Sequence, residues 1–325
     1  MKSSVLTIGL TMGDPAGIGP EVLIKSLVRL KGCLPATYLI VGDRKVLENC
    51  CSRLKIKNFF EDRSVELVDL NNIDTGKINF GKDTPIYGRA ALEYLDRAIE
   101  LLRNKSIVTL VTAPLSKSAV NSCGIKFQGH TEYLARAFGA KNILMLMVNK
   151  NLRVVPLTRH IALRDVPGKL NRACVYNGIK NTVYYLKKYY SISNPRIGVC
   201  ALNPHSGEAG FAGKEEKEVI IPAITDLRRR ISAEIEGPLS ADGLFSRYKK
   251  GDFDCIVGMY HDQVLIPVKM SDYNRTVNLT VGLPFVRTSP AHGTAFDIAG
   301  RGVAVPTSMI EAIKLAEQLT RNAHH

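Results

Sequence analysis

The stretch Val5-Leu6-Thr7-Ile8-Gly9-Leu10-Thr11-Met12-Gly13-Asp14-Pro15-Ala16-Gly17-Ile18-Gly19-Pro20-Glu21 decides the fold. Residues 5–11 form an apolar run of strand length, and residues 12–19 are rich in turn formers. Pro20 suits the first position of a helix, where its missing N–H has no intrahelical partner to lose. Residues 21–30 continue with apolar side chains at helical spacing. A strand that passes through a glycine-rich turn into a helix opens an α/β layer. The alternation recurs, with strands expected at 38–41, 107–112, 143–148, 153–157, 197–202, 255–259 and 277–281. Helices are expected at 90–102, 131–138 with Thr131 as cap, 182–189, 215–230 and 308–319. The fold class is therefore α/β with a mostly parallel sheet. At 325 residues two domains are expected, and no repeat or low-complexity linker marks their boundary.

Composition narrows the function. With 45% hydrophobic and 23% charged residues the chain has ample material for a core. Its net charge is +14, from 44 Lys and Arg against 30 Asp and Glu. The basic residues are dispersed: Arg228-Arg229-Arg230, Lys187-Lys188 and Lys249-Lys250 are short groups, with no zinc-finger or RNP-like pattern beside them. That disfavours nucleic acid and favours an anionic small substrate. No apolar run approaches the ~20 residues that cross a bilayer, so no membrane role is expected. The N-terminal stretch has no long apolar core followed by a small-residue cleavage site, so no signal peptide is expected. Seven cysteines without a CxxC fit reduced thiols in the cytoplasm.

Three histidines follow apolar strands: His160 in Thr158-Arg159-His160, His205 in Asn203-Pro204-His205-Ser206-Gly207, and His261 in Tyr260-His261-Asp262. Strand ends of an α/β sheet converge in space and hold ligand sites. Three neutral imidazoles leave open positions on a divalent cation, which is a catalytic arrangement. Asp262 and Asp242 are placed to orient the imidazoles or to move protons. Spacing alone leaves this beside the plainer alternative of three unrelated hydrogen-bonded histidines.

Anion-binding features lie elsewhere. His130-Thr131 opens a predicted helix, whose N-terminal amides favour phosphate. Lys269, Asn278 and Arg287 follow around a strand and loop, and Arg grips phosphate or carboxylate bidentately. Taken singly, each of these is as readily a cap or a solvated charge. Gly13, Gly17 and Gly19 fit neither G-x-G-x-x-G nor a P-loop, so they read as a tight strand–helix turn.

Together these segments resemble the 4-hydroxythreonine-4-phosphate dehydrogenase family. The resemblance rests on Thr11 to Glu21, Gly129-His130-Thr131-Glu132, Thr158-Arg159-His160 with Arg164-Asp165-Val166-Pro167, Asn203-Pro204-His205-Ser206-Gly207-Glu208, Tyr260-His261-Asp262-Gln263 and Thr288-Ser289-Pro290-Ala291-His292-Gly293-Thr294. It implies two α/β domains of the isocitrate/isopropylmalate dehydrogenase type, here residues 1–135 plus 282–325 on the cofactor side and 136–281 carrying metal ligands and dimer contacts, with the active site in the interdomain cleft. It implies a homodimer with a shared active site and one divalent metal (Zn2+, Mg2+, Mn2+ or Co2+) on His160, His205 and His261. The family's substrate positions fall on His130, Thr131, Lys269, Asn278 and Arg287. Its NAD positions fall on His292, Gly293, Thr294, Ala295 and Asp297. A carboxylate at 297 accepts hydrogen bonds from a ribose diol and repels a 2′-phosphate. The reaction implied is oxidation and decarboxylation of 4-phosphooxy-L-threonine to 3-amino-2-oxopropyl phosphate in pyridoxal 5′-phosphate biosynthesis. Alternatives are a dehydrogenase of 4-phospho-threonate or 4-phospho-erythronate and, more distantly, a metal-dependent phosphoester hydrolase. One position departs from the family pattern: Arg159 stands where Thr or Ser is expected, which bears on substrate preference.

Overall fold

The computed structural model describes residues 6–74 and 78–324. The chain divides into two compact units, Met1–Ile143 with Gly282–Arg321, and Leu144–Val281 with Asn322–His325. The first run of chain is β1 (Leu6–Thr11), α1 (Gly19–Leu30), β2 (Ala36–Gly42), α2 (Arg44–Leu54), β3 (Val65–Asp69), α3 (Pro85–Arg103), β4 (Thr109–Thr112), α4 (Lys117–Asn121) and α5 (His130–Ala137). The second unit follows as β5 (Leu144–Val148), β6 (Arg153–Pro156), α6 (Val166–Lys169), α7 (Arg172–Tyr190), β7 (Arg196–Cys200), α8 (Ile221–Arg228), β8 (Glu234–Leu239), α9 (Ala241–Lys249), β9 (Cys255–Gly258), α10 (His261–Ser271) and β10 (Val277–Val281). β11 (Val286–Pro290) and α11 (Thr307–His324) complete the chain.

In the first unit the strands lie in the order β3-β2-β1-β4-β11, and every pairing is parallel. Both faces of such a sheet are covered by helices, so its strands read as nearly unbroken apolar runs. Ile8 and Leu10 of β1 and Leu110 and Val111 of β4 are fully buried. Val5, expected to open β1, lies outside the described residues. In the second unit the order is β10-β5-β6-β9-β7-β8. β6, β9, β7 and β8 run parallel, whereas β5 is antiparallel to both β6 and β10.

Several helix ends differ from the expectation. Gly129, not Thr131, is the N-cap of α5: its φ of 152° is open to glycine, and Tyr133 N donates to Gly129 O at 3.0 Å to close the first turn. Thr131 therefore sits inside that turn. α3 starts five residues early because Thr84 caps it and Pro85 follows. The helix expected at 215–230 is a π-turn, Glu216–Ile220, followed by α8. Pro222 lacks the N–H needed to continue one regular ladder through this point.

Candidate active site

β6 and β9 pair in parallel, Val154 opposite Ile256 and Pro156 opposite Gly258. Their pairing continues past the strand ends. Leu157 N donates to Gly258 O at 2.9 Å, and Thr158 donates through N and Oγ1 to Met259 O at 3.2 and 2.8 Å. These bonds fix the two segments that carry His160 and His261. The imidazole centroids lie 5.5 Å apart with the rings inclined at 47°. His160 has a φ of 50°, a left-handed conformation that non-glycine residues keep chiefly where surroundings impose it. His261 Nδ1 bonds Asp262 Oδ1 at 2.5 Å, so with the carboxylate as acceptor Nε2 carries the open lone pair. Thr158, Arg159, His160, Tyr260, His261 and Asp262 line one surface depression.

Gln263 explains why the motif extends one residue further. Its Oε1 accepts from Met259 N at 2.7 Å, and its Nε2 donates to Ala201 O at 2.7 Å, joining the ends of β9 and β7. The chain after β7 carries His205. There the buried carboxylate of Glu216 accepts from Leu202 N and Asn203 N at 2.9 and 2.8 Å and from Asn203 Nδ2 at 3.0 Å. Burial works to raise the Glu216 pKa, but these bonds outweigh it and hold it below the ordinary value. Residues His205 to Ala209 all have positive φ. His205 Nδ1 bonds Glu208 Oε1 at 2.9 Å, again leaving Nε2 for a ligand.

The structure thus gathers His160, His261 and Asp262. His205 stands with Glu208, and among the described residues no group of three His, Cys, Asp or Glu side chains is set to hold a metal within the chain. The donor chemistry still fits a divalent cation, because both His205 and His261 have a carboxylate on Nδ1. Asp242, in the first turn of α9, lines a different depression with Phe245, Tyr248 and Met270.

The first unit holds a cationic cluster. Arg287 on β11 is 2% exposed, and its Nη2 donates to Thr112 Oγ1. Burial pushes its guanidinium down to about 10, against the attraction of Glu132. His130 is held well below the usual imidazole range by burial first, then by Arg287 and Lys117, so it is neutral at pH 7. Thr131 follows it in the first turn of α5. Lys269 and Asn278 belong to the second unit, on α10 and β10. Lys269 Nζ lies 5.7 Å from the Tyr273 ring centre, and Asn278 Oδ1 is buried without a hydrogen-bond partner in the structure.

The 292–297 loop is also in the first unit, and the glycine turn after β1 supports it. Ile18 N donates to Thr294 O at 2.9 Å, and a Cβ on Gly17 would come within 3.1 Å of Thr294 Cβ and O. A side chain at 17 would press on Thr294, so glycine keeps this approach free of crowding. Ala295 adopts a φ of 42° and its O accepts from Ile298 N. His292 Nδ1 faces Gly293 O at 3.1 Å, while its Nε2 is buried without a partner. Burial lowers the His292 pKa. Gly293 and Asp297 are exposed. An orphaned buried imidazole nitrogen on a loop that also carries an exposed carboxylate fits a nucleotide bearing hydroxyl donors.

Sequence reasoning missed Asp14, Lys117, Glu208, Glu216 and the part played by Gln263. Asp14 is fully buried; its Oδ1 accepts from Ala16 N at 2.9 Å and its Oδ2 has no partner. Only a Gly-Asp-Pro turn signalled it, and turn aspartates are ordinarily solvated.

The two units together make an α/β fold built on a mostly parallel sheet, with His160 and His261 just beyond two of its strand ends. Isocitrate dehydrogenase from Methylococcus capsulatus superposes with a TM-score of 0.51 over 98% of this chain and 88% of that one, at 14% identity, a likeness of fold. The chain belongs to the family of the pyridoxal phosphate biosynthetic protein PdxA, whose model matches residues 35–316. It is 44% identical to a D-threonate 4-phosphate dehydrogenase from Cupriavidus necator, over 99% of this chain and all of that one. It is 38% identical to a 4-hydroxythreonine-4-phosphate dehydrogenase from Sulfurihydrogenibium sp., over 98% and 99%. The crystal structure of 4-hydroxythreonine-4-phosphate dehydrogenase from Klebsiella pneumoniae matches with a TM-score of 0.85 at 34% identity, over 98% and 99%. The chain is a dehydrogenase of this family.

Proposed function

We propose that the chain catalyses NAD-dependent oxidation and decarboxylation of 4-phosphooxy-L-threonine to 3-amino-2-oxopropyl phosphate in pyridoxal 5′-phosphate biosynthesis. The observation that carries this reading is the pairing of His160 and His261 on adjacent strand ends, with Asp262 fixing one of the rings. In the overall reaction C3 loses a hydride and its hydroxyl a proton, the bond from C2 to the carboxylate breaks to release CO2, and a proton returns to C2. When bound, a divalent cation supplies Lewis acidity to the C3 oxygen and NAD supplies the hydride acceptor. His160, His261 and His205 would hold the cation, with Asp262 and Glu208 keeping the Nδ1 protons in place. Arg287 and the start of α5 hold the phosphate, while neutral His130 adds a hydrogen bond without a charge of its own. Lys269 and Asn278 take further polar groups of the substrate. Asp297 would accept from the ribose diol of NAD, and His292 Nε2 would be free to accept a second hydroxyl.

The working form is a homodimer with a shared active site in the cytoplasm. Exposed apolar side chains on the second unit support the dimer, among them Leu163, Phe211, Ile266 and Met270, with Phe211 92% exposed. Seven free thiols support a reducing compartment. A second reading, oxidation of D-threonate 4-phosphate, is favoured by the Cupriavidus necator relative and by Arg159. Arg159 lines the same depression as His160 and His261, and a positive charge there would disfavour an ammonium at C2 more than a hydroxyl. Following NADH formation from 4-phosphooxy-L-threonine tests the first reading: metal-dependent turnover is expected, with loss of it in His261→Ala, and equal turnover in that variant contradicts it.

A further inference from the structure

A second cation, Lys117, acts on His130 beside Arg287. Lys117 is the first residue of α4 and is exposed. Its Cε and Nζ lie 3.3 and 3.4 Å from the point where a Cβ on Gly129 would sit, so the ammonium lies over the backbone that opens α5. Glycine at 129 leaves that space free. Glu132 Oε2 lies 3.1 Å from the same point and is the acid of the group. Among the described residues Lys117 forms no ion pair. The charges of Arg287 and Lys117 both act on His130. A buried guanidinium, a neutral imidazole and an exposed ammonium therefore meet at the positive end of one helix, with one carboxylate to offset them. Like charges gathered in this way are relieved by an anion from solution.

We propose that Lys117 is the outer cation of the phosphate site, contacting from the solvent side a phosphate that Arg287 and the start of α5 hold from within. The proposal rests on the substrate reading above. Lysine suits the outer position, since its flexible stem lets a point charge follow the incoming group.

Inorganic phosphate is the probe, its binding measured by calorimetry on the whole chain and its inhibition of turnover measured in parallel. Lys117→Gln is expected to weaken phosphate binding and raise KM for the phosphorylated substrate by about tenfold each, with KM rising more than kcat falls. Lys117→Arg is expected to recover most of both. If wild type binds phosphate and Lys117→Gln binds it equally well, Lys117 is no part of the site while the reading of Arg287 and His130 stands. If wild type binds no phosphate, that reading fails and Lys117 with it.

Discussion

His160 and His261 present their imidazoles 5.5 Å apart because the parallel pairing of β6 and β9 runs on for two residues beyond the strands. The sheet, not a local loop, thus sets the spacing of two histidines that are distant in sequence.

Asp262 Oδ1 bonds Nδ1 of His261 at 2.5 Å, so in the proposed site it would act on a cation through that ring. Asp262→Asn is expected to weaken divalent-metal affinity by about 10- to 100-fold while leaving the thermal midpoint of the metal-free chain nearly unchanged. Metal titration by calorimetry checks this, and unchanged affinity would show that Asp262 has another task.

Arg287 is buried against Thr112 and faces the start of α5. Arg287→Ala is expected to raise KM for the phosphorylated substrate about 10- to 100-fold, the range of one lost charge-assisted contact or a bidentate pair. Arg287→Lys should recover only part, because the planar fork is gone. Steady-state kinetics with both variants decide it; an unchanged KM in Arg287→Ala removes the residue from the site.

Burial raises the Asp14 carboxyl from 3.8 to about 6, with Asp83 adding to the effect against the amide of Ala16. The folded chain therefore holds this proton more tightly than the unfolded chain. The stability it contributes is present below about pH 4 and is lost as pH rises through about 6, by on the order of 2–3 kcal/mol. Asp14→Asn removes the titration. Urea unfolding at about pH 4.5 and 7 should show wild type losing stability relative to the variant as pH rises; parallel behaviour of the two would exclude it.

The first α/β unit was legible because β1, its glycine turn and α1 each carry a strong local signal, apolar run, turn residues and Pro20 at the helix start. β3 and β8 were not, since β3 has hardly a buried residue and β8 contains Gly237 and Pro238. α10 was hidden by Pro267 within it. At the site, His160 and His261 were visible as strand-end histidines, but the bonds that seat them are long-range. Gln263 joins Met259 to Ala201, and Glu216 reaches back to Leu202 and Asn203. Lys117 was hidden for the same reason: only the fold brings it to Gly129.

The most direct test of the account is NADH formation from 4-phosphooxy-L-threonine and D-threonate 4-phosphate side by side, with a divalent cation and after chelation. Metal-dependent NADH and CO2 formation is predicted, and the compound turned over more efficiently decides between an amine and a hydroxyl at C2. Turnover of neither compound, or turnover undiminished by the chelator, would contradict the account.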